Sequence, residues 1–212
     1  MEVLRGPMSL SMNDECAFLA EGFDAPPVFM MPYNPAYYLD LMTRNGLAKA
    51  KDLFAFIMSR DHEAARKVEM IVEKAKREIP VTIRKLNPRK IAEEAAKIVE
   101  VYNSGWQKNW GFVPWTESEM RHTVAKLKRL ADLDIVLLAE VEGRAVGFAF
   151  GLPNYNEVLR KMNGRLLPLG WLVFLLSRRR IKGMRALVFG LARDYQHTGL
   201  AYLLYSELEK NG

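Results

Sequence analysis

The sequence predicts an α+β fold: a mixed, mostly antiparallel sheet flanked by helices, incomplete or permuted. Three observations predict it. Residues 134–141 and 144–152 read as two strands joined at Glu142-Gly143, a hairpin turn signal. Residues 61–79 keep apolar side chains at helical spacing, with Arg66, Lys67, Glu69, Glu73, Lys74 and Lys76 on the other face. Residues 184–191 form an apolar run of strand length, broken only by Arg185. A short polar connection then leads into 196–209, where Leu200, Leu203, Leu204 and Leu208 make a helical stripe.

From the start of the chain, 1–13 reads as a strand, with Ser9 and Ser11 alternating among Met8, Leu10 and Met12. Residues 14–22 read as a short helix, and 23–32 as a loop around Pro26-Pro27. Asn34-Pro35 signals a helix start, with Asn as cap and Pro at the first helical position. Tyr37, Tyr38, Leu41 and Met42 form its expected buried face, and Asn45-Gly46 its stop. Residues 49–58 read as a strand, with Leu53, Ala55 and Ile57 facing one way and Phe54, Phe56 and Met58 the other. The 61–79 helix reads as a connector between two units, ended by Pro80.

A strand follows at 81–86. Asn87-Pro88 opens a helix with Ile91, Ala95, Ile98, Val99 and Tyr102 on its core side. It runs into a loop, 102–115, that holds three of the four tryptophans. A tryptophan's large apolar body needs somewhere to pack. The loop reads either as a braced aromatic cluster or as a pocket wall, and Trp106, Asn109, Trp110 and Phe112 are the candidate wall for an acceptor substrate. Thr116 and Glu119 make a capping box with Trp115 and Met120 as its hydrophobic staple, and the helix is expected to reach Ala131. In the hairpin's second strand, Val146, Phe148, Phe150 and Leu152 share one expected face. Ala145, Gly147, Ala149 and Gly151 share the other, small enough for a helix to come close. Residues 154–162 form a short helix stopped at Asn163-Gly164, and 169–177 a very apolar second helix; together they read as an insertion.

Half of the 212 residues are apolar and 26% are charged, which suits a globular protein and argues against disorder. The lone Cys16 excludes an internal disulfide, fits cytoplasmic residence and reads as a small buried hydrophobe. The net charge of +6 is partly local, at Arg178, Arg179, Arg180, Lys182 and Arg185. That cluster suits an anionic polymer or membrane surface, a solvated helix end, or the neighbourhood of a phosphorylated cofactor. No zinc-ligand spacing and no interleaved aromatic–basic pattern is present, so neither a metal nor a nucleic-acid partner is expected. No signal peptide is evident in the first ten residues. The longest apolar stretch, 166–176, contains Pro168 and Gly170 and is too short for the roughly 20 residues a transmembrane helix needs. It could lie on a membrane surface, but reads rather as a buried helix or a cleft cover.

The junction of the last strand and helix carries Gln196, His197, Thr198, Gly199, Leu200 and Ala201. The first N–H groups of a helix lack partners, and its dipole favours negative charge there. Gly199 and Ala201 leave room for an oxygen at the backbone. This is how a protein holds a pyrophosphate.

Q-x-x-G-x-A after an apolar strand resembles the acetyl-CoA motif of the GNAT N-acetyltransferases, [Q/R]-x-x-G-x-[G/A]. The order from Val81 onwards (strand, two helices, hairpin, insertion, strand, turn, helix) is also similar to the N-terminal part of that fold. More narrowly, RGPMSLSMNDEC, EGFDAPPVFMMPYNPAYY, VYNSGWQKNWGFVPWTE and LPNYNEVLRKMNGRLLP resemble a family of bacterial GNAT-like proteins with two units in tandem. The resemblance implies that 1–58 is the end of an upstream unit, 59–80 a connector helix and 81–212 the start of the next unit, with its later strands absent. Strand 3–12 could then pair beside 184–191 to complete a permuted sheet. Exposed sheet edges would otherwise invite a homodimer.

The resemblance further implies acetyl-CoA as cosubstrate and a small-molecule or peptide amine as acceptor. Gln196 to Ala201 would cradle the pyrophosphate, while Gly190 and Leu191 would bond the pantetheine arm. Arg193, His197 and Thr198 depart from residues common in the family but leave the backbone cradle intact. No catalytic residue is assigned: Glu140 is the strand carboxylate, read as solvated, and packing explains Tyr195 and Tyr205. The alternative is a non-catalytic module of the same fold that binds an acyl-CoA, a partner protein or an anionic surface.

Overall fold

The computed structural model describes residues 3–9, 11–58, 65–127 and 135–211. In chain order its elements are α1 (Tyr37–Arg44), α2 (Ala65–Glu78), β1 (Val81–Lys85), α3 (Ile91–Trp106), α4 (Glu117–Leu127), β2 (Val136–Val141), β3 (Arg144–Pro153), α5 (Asn156–Leu159), α6 (Gly170–Ser177), β4 (Met184–Leu191) and α7 (Leu200–Asn211). This is a mixed α+β fold, as the sequence predicts. The chain divides into two units: Met1–Met58 with Tyr155–Arg179, and Ser59–Asn154 with Arg180–Gly212.

The second unit is built on one antiparallel sheet in the order β1-β2-β3-β4. Strand side chains alternate between two faces, so each face gathers its own core. Val136, Leu138, Phe148 and Phe150 meet Ala95, Ile98, Val99, Tyr102 and Met120 from α3 and α4. Leu137, Ala139, Val146 and Ala149 meet Val72 and Ala75 of α2 and Leu200, Leu203, Leu204 and Leu208 of α7. The helix expected as a connector is therefore a layer of this unit. The expected start of that helix at Asp61, the extension of α4 to Ala131 and the strand residue Asp134 lie outside the described residues.

Local signals explain the boundaries. Glu142 and Gly143 have φ of 51° and 79°, the left-handed pair a two-residue hairpin requires. At the start of α4 the Thr116 N–H donates to the Glu119 carboxylate (2.9 Å), and the Glu119 N–H donates to Thr116 Oγ1 (3.2 Å). This is the expected capping box.

The expected faces of β3 need one correction. The register skips Val146 between the pairs Ala139–Gly147 and Glu140–Ala145. A bulge there reverses the alternation, so Val146 joins the α2/α7 core while Phe148 and Phe150 face α3. A second shift, at Leu187, lies in β4 between the pairs Phe150–Val188 and Gly151–Ala186. The small face does what its residues suggest. A Cβ at Gly147 would sit 3.0 Å from a Leu204 methyl, and one at Gly151 3.1 Å from a Leu208 methyl. α7 can lie this close only on glycine.

The first unit departs further from expectation. Residues 3–9 and 11–13 form no strand; an isolated antiparallel bridge joins Met8 to Cys16, which is half-buried. The described residues of this segment contribute nothing to the four-stranded sheet, contrary to the permuted arrangement. Residues 14–22 form no helix. Asn34 does not cap α1. Its Oδ1 accepts from the Leu19 N–H at 2.7 Å, and its amide donates to the Pro35 carbonyl at 3.0 Å, so it ties two loop segments together. Residues 49–58 form no strand and are exposed, because a strand apolar on both faces needs neighbours and has none among the described residues. The Asn45-Gly46 and Asn163-Gly164 stops are as expected: Gly46, Asn163 and Gly164 adopt φ of 78°, 49° and 70°. α6 forms where predicted, but none of its residues is buried.

Candidate functional site

β4 sets the geometry of the site. The Ala192 N–H donates to the Val146 carbonyl at 2.8 Å, which fixes the parity of the ladder. By that parity Gly190 turns its backbone toward β3, while Phe189 and Leu191 turn theirs to the opposite edge. The edge position of Phe189 shows directly: its carbonyl accepts from Trp106 Nε1 at 3.1 Å. Of the two residues expected to bond a pantetheine arm, Leu191 turns its backbone to the outer edge, where the residue is buried. Gly190 serves packing, since a Cβ there would overlap the ring of Phe148.

Beyond β4 the chain makes a 3-10 turn at Arg193–Tyr195 and reaches Gly199 at φ 86° before entering α7. Gln196, His197 and Thr198 are exposed, while Leu200 is fully buried. The turn is stabilised from within: the Thr198 hydroxyl donates to the Tyr195 carbonyl at 2.9 Å. Tyr202 and Leu203 direct their N–H groups to the Gly199 carbonyl. The backbone N–H groups of His197, Gly199, Leu200 and Ala201 find no acceptor among the described residues. Four unused donors lie at the start of a 12-residue helix, where an anion is favoured.

Gly199 is required for a reason other than access. A Cβ there would sit 3.1 Å from Cβ of Ala75 in α2, on a backbone that L-residues avoid. Its missing side chain makes room for α2, and the exposed side of the turn is the one left for a ligand.

A second contact anchors the turn. Gln196 Nε2 donates to the Gly105 carbonyl at 2.9 Å. A Cβ on Gly105 would overlap the Leu191 carbonyl oxygen, so the end of α3 lies directly against the end of β4. Sequence reasoning missed Gly105. The available signal was an isolated glycine inside a helical run, which marks a close backbone approach when it is kept.

The tryptophan loop divides between the two readings. Trp106 stacks on Tyr102 with centroids 5.1 Å apart, and Phe112 and Trp115 pack on the same ring at 5.7 and 6.2 Å. Asn103 clamps the loop, accepting from the Trp115 N–H and donating to its carbonyl, both at 2.9 Å. Trp106 and Phe112 therefore brace the structure, and Trp106 also holds the edge of β4. Asn109 and Trp110 are exposed. Two shallow grooves, of about 360 and 230 Å³, run along α2 and include neither the loop nor the turn.

Glu140 is unsuited to take a proton. It lies on β2, two strands from β4, and accepts from Arg84 Nε (2.9 Å), Arg84 Nη2 (2.7 Å) and Lys97 Nζ (2.7 Å). The Arg84 hydrogen bonds, aided by Lys97, hold its carboxyl down at about 2. It is ion-paired rather than solvated. The ring of Tyr205 stacks on Phe189 at 4.6 Å, and burial raises its phenol. Packing accounts for it, as expected.

The fold and the turn define an antiparallel α+β protein whose edge strand delivers a helix N-terminus to solvent. No family model matches the chain. It is 38% identical over 197 residues to Protein YghO of Escherichia coli (strain K12), covering 91% of this chain and 50% of that protein. It is 35% identical over 195 residues to a protein of Caulobacter vibrioides named bacterial ceramide synthase, covering 90% of this chain and 50% of that one. The chain thus spans about half the length of the curated relatives it matches. A crystal structure of PH1933 from Pyrococcus horikoshii OT3 aligns at TM-score 0.40 and 20% identity over 62% of this chain and 73% of that one, too remote to carry an argument. Among the described residues no helix is long and apolar enough to cross a membrane.

Proposed function

We propose that this chain carries the coenzyme A site of a GNAT-type N-acyltransferase, which transfers an acetyl or longer acyl group from the CoA thioester to an amine. The observation that carries the reading is the set of four unpartnered N–H groups, from His197 to Ala201, at the solvent side of the β4–α7 turn. They suit the two phosphates of a pyrophosphate. Gln196 contributes through its side chain by fixing the turn to α3. Leu191, at the end of the edge strand, is the proposed contact of the extended amide arm through its N–H, its carbonyl lying against Gly105.

In such a transfer the amine nitrogen attacks the thioester carbonyl. A C–N bond forms, the C–S bond breaks, the amine loses a proton and the departing thiolate gains one. No side chain here is assigned either proton. Glu140 is excluded by its two cationic partners and its distance in the sheet. Trp110 and Asn109 are the proposed acceptor-side residues, because of the four candidates in the loop they are the exposed ones. The name of one relative supports the reading. Ceramide is an amide of a fatty acid with a long-chain amino alcohol, so making it from an acyl-CoA would be N-acyl transfer.

Calorimetry with CoA, acetyl-CoA and palmitoyl-CoA tests the assignment. The expected result is binding of all three that Thr198→Glu weakens at least 100-fold, since its carboxylate would occupy the donors and repel phosphate. Thr198 is exposed, so the fold should survive, and an unchanged circular dichroism spectrum checks this. Absence of binding by the parent chain defeats the assignment. Binding without turnover of any amine points to a non-catalytic module.

A further inference from the structure

The insertion 155–179 combines most of the chain's excess charge with an exposed apolar helix. It contains Arg160, Lys161, Arg165, Arg178 and Arg179 against one carboxylate, Glu157, and so accounts for +4 of the chain's net +6. In its middle lies α6, sequence GWLVFLLS, with no buried residue. The helix has two faces. Val173, Phe174 and Ser177 are half-buried, and Phe174 stacks on Tyr155 at 5.7 Å. Leu172, Leu175 and Leu176 face water, the last at 67% exposure, together with Leu169 at 62% and Trp171 at 47%. Leu166 and Leu167, just before the helix, are 61% and 74% exposed. Arg178 and Arg179 follow directly, exposed and without an ion pair among the described residues. Six leucines and a tryptophan exposed within residues 166–176 are not a normal solvent face.

We infer that this surface docks on a bilayer containing anionic phospholipid, with α6 lying in the interfacial plane. The outer leucines enter the acyl boundary. Trp171 sits at the head-group level, where an indole is favoured, and Arg178 and Arg179 meet lipid phosphates. Eight residues span about 12 Å, far less than the roughly 30 Å hydrocarbon core, so the helix lies on the membrane and does not cross it. Two arguments favour lipid over a second copy of the chain. Seven apolar residues are few beside the roughly 20 to 30 residues a side of a stable protein interface. A two-fold contact would also bring ten cations together against two carboxylates, whereas an anionic bilayer complements the charge. The inference stands on this surface alone and does not rest on the acyl-transfer reading.

The test is flotation of the whole chain with large vesicles of phosphatidylcholine, pure or carrying 30 mol% phosphatidylglycerol. Partitioning onto the anionic vesicles is expected to exceed that onto the neutral ones at least tenfold and to fall with salt. Each arginine near the surface is worth about a fivefold factor, from roughly 1 kcal/mol. Arg178→Gln with Arg179→Gln should therefore lose on the order of 25-fold on anionic vesicles. Leu172→Glu with Leu176→Glu should lose at least tenfold on both. These positions already face water, and circular dichroism reports whether the fold is intact. If the double Glu variant misfolds, Trp171→Phe serves instead: brominated lipid should quench the parent's emission and quench the variant's less. Three results would overturn the inference. One is no partitioning onto anionic vesicles, and another is partitioning unchanged by any of these substitutions. The third is a dimer in sedimentation that the double Glu variant dissolves while vesicles are ignored.

Discussion

Gly105→Val is expected to destabilise the second unit by at least about 3 kcal/mol and to abolish CoA binding. Gly105 lies where α3 presses on the end of β4, and a side chain there would meet the Leu191 carbonyl oxygen, a backbone atom that cannot rotate away. Relief requires α3 and β4 to separate. That separation would lengthen two contacts at once, Trp106 Nε1 to the Phe189 carbonyl and Gln196 Nε2 to the Gly105 carbonyl. Both belong to the framework of the proposed cofactor edge. Urea unfolding followed by circular dichroism measures the first effect, and CoA calorimetry at low denaturant the second. A variant of parental stability would show that α3 does not hold the edge. Even Gly105→Ala should show most of the loss, which separates a backbone clash from an effect of side-chain size.

Arg84→Ala is expected to cost about 3 to 5 kcal/mol. Glu94 on α3 is only 3% exposed, and its carboxylate accepts from Arg84 Nη1 at 2.9 Å. The same guanidinium bonds both oxygens of Glu140. Removing it leaves a buried carboxylate without its cation, which costs more than the pair contributes when intact. The double variant Arg84→Met with Glu94→Met should recover a large part of the loss, because nothing charged then remains buried at that point. Equal losses in the single and double variants would assign the effect to packing.

The same network sets an acid dependence. The Glu140 carboxyl is held at about 2, below an ordinary glutamate, chiefly by its Arg84 hydrogen bonds. A depressed acid contributes stability above its unfolded value and loses it as the pH falls. Stability should therefore decline between about pH 4.5 and pH 2, by on the order of 2 kcal/mol, allowing for its partial access to water. Urea midpoints taken across that range should fall more steeply for the parent chain than for Glu140→Gln.

The second unit was legible because its signals are local and redundant. Glu142-Gly143 specifies a turn that little else can make, Thr116 and Glu119 specify a cap, and α3 and α7 carry long apolar stripes. The bulges at Val146 and Leu187 were not legible. Each is an extra residue in one strand relative to its partner, and a single strand carries no record of its neighbour's count. The first unit was read poorly for a related reason. Residues 49–58 have strand composition, but a strand exists only against another strand, and the described residues supply none. Asn34 before Pro35 has the form of a cap. A tertiary partner, the Leu19 backbone, captured it instead. α6 was legible as a helix, but whether it is buried, covers a cleft or lies on a surface was not, because apolar composition states a cost of exposure without saying what will cover it.

At the proposed site, the β4–α7 turn at Gln196 to Ala201 was legible because a strand, a short polar connection and a helix start are properties of the local chain. The roles of its glycines were not visible. Gly190 and Gly199 are set by Phe148 and by Ala75, residues distant in sequence. The tryptophan loop was half legible for the same reason. Which of its rings would find Tyr102 depended on the path of the chain between residues 106 and 115.

The attachment of α7 divides the neighbourhood of the turn into parts that can change and parts that cannot. Leu200, Leu203, Leu204 and Leu208 are fixed by the glycines of β3 and by α2, and Gly199 by Ala75. Gln196, His197 and Thr198, just before them, are exposed, Gln196 being tied to Gly105. New preferences at this site can therefore arise by substitution at 197 and 198, and along the exposed loop at 109 and 110, without disturbing the core that holds the backbone donors. The backbone of the turn is a constant of the fold, and its exposed side chains are free to drift around it.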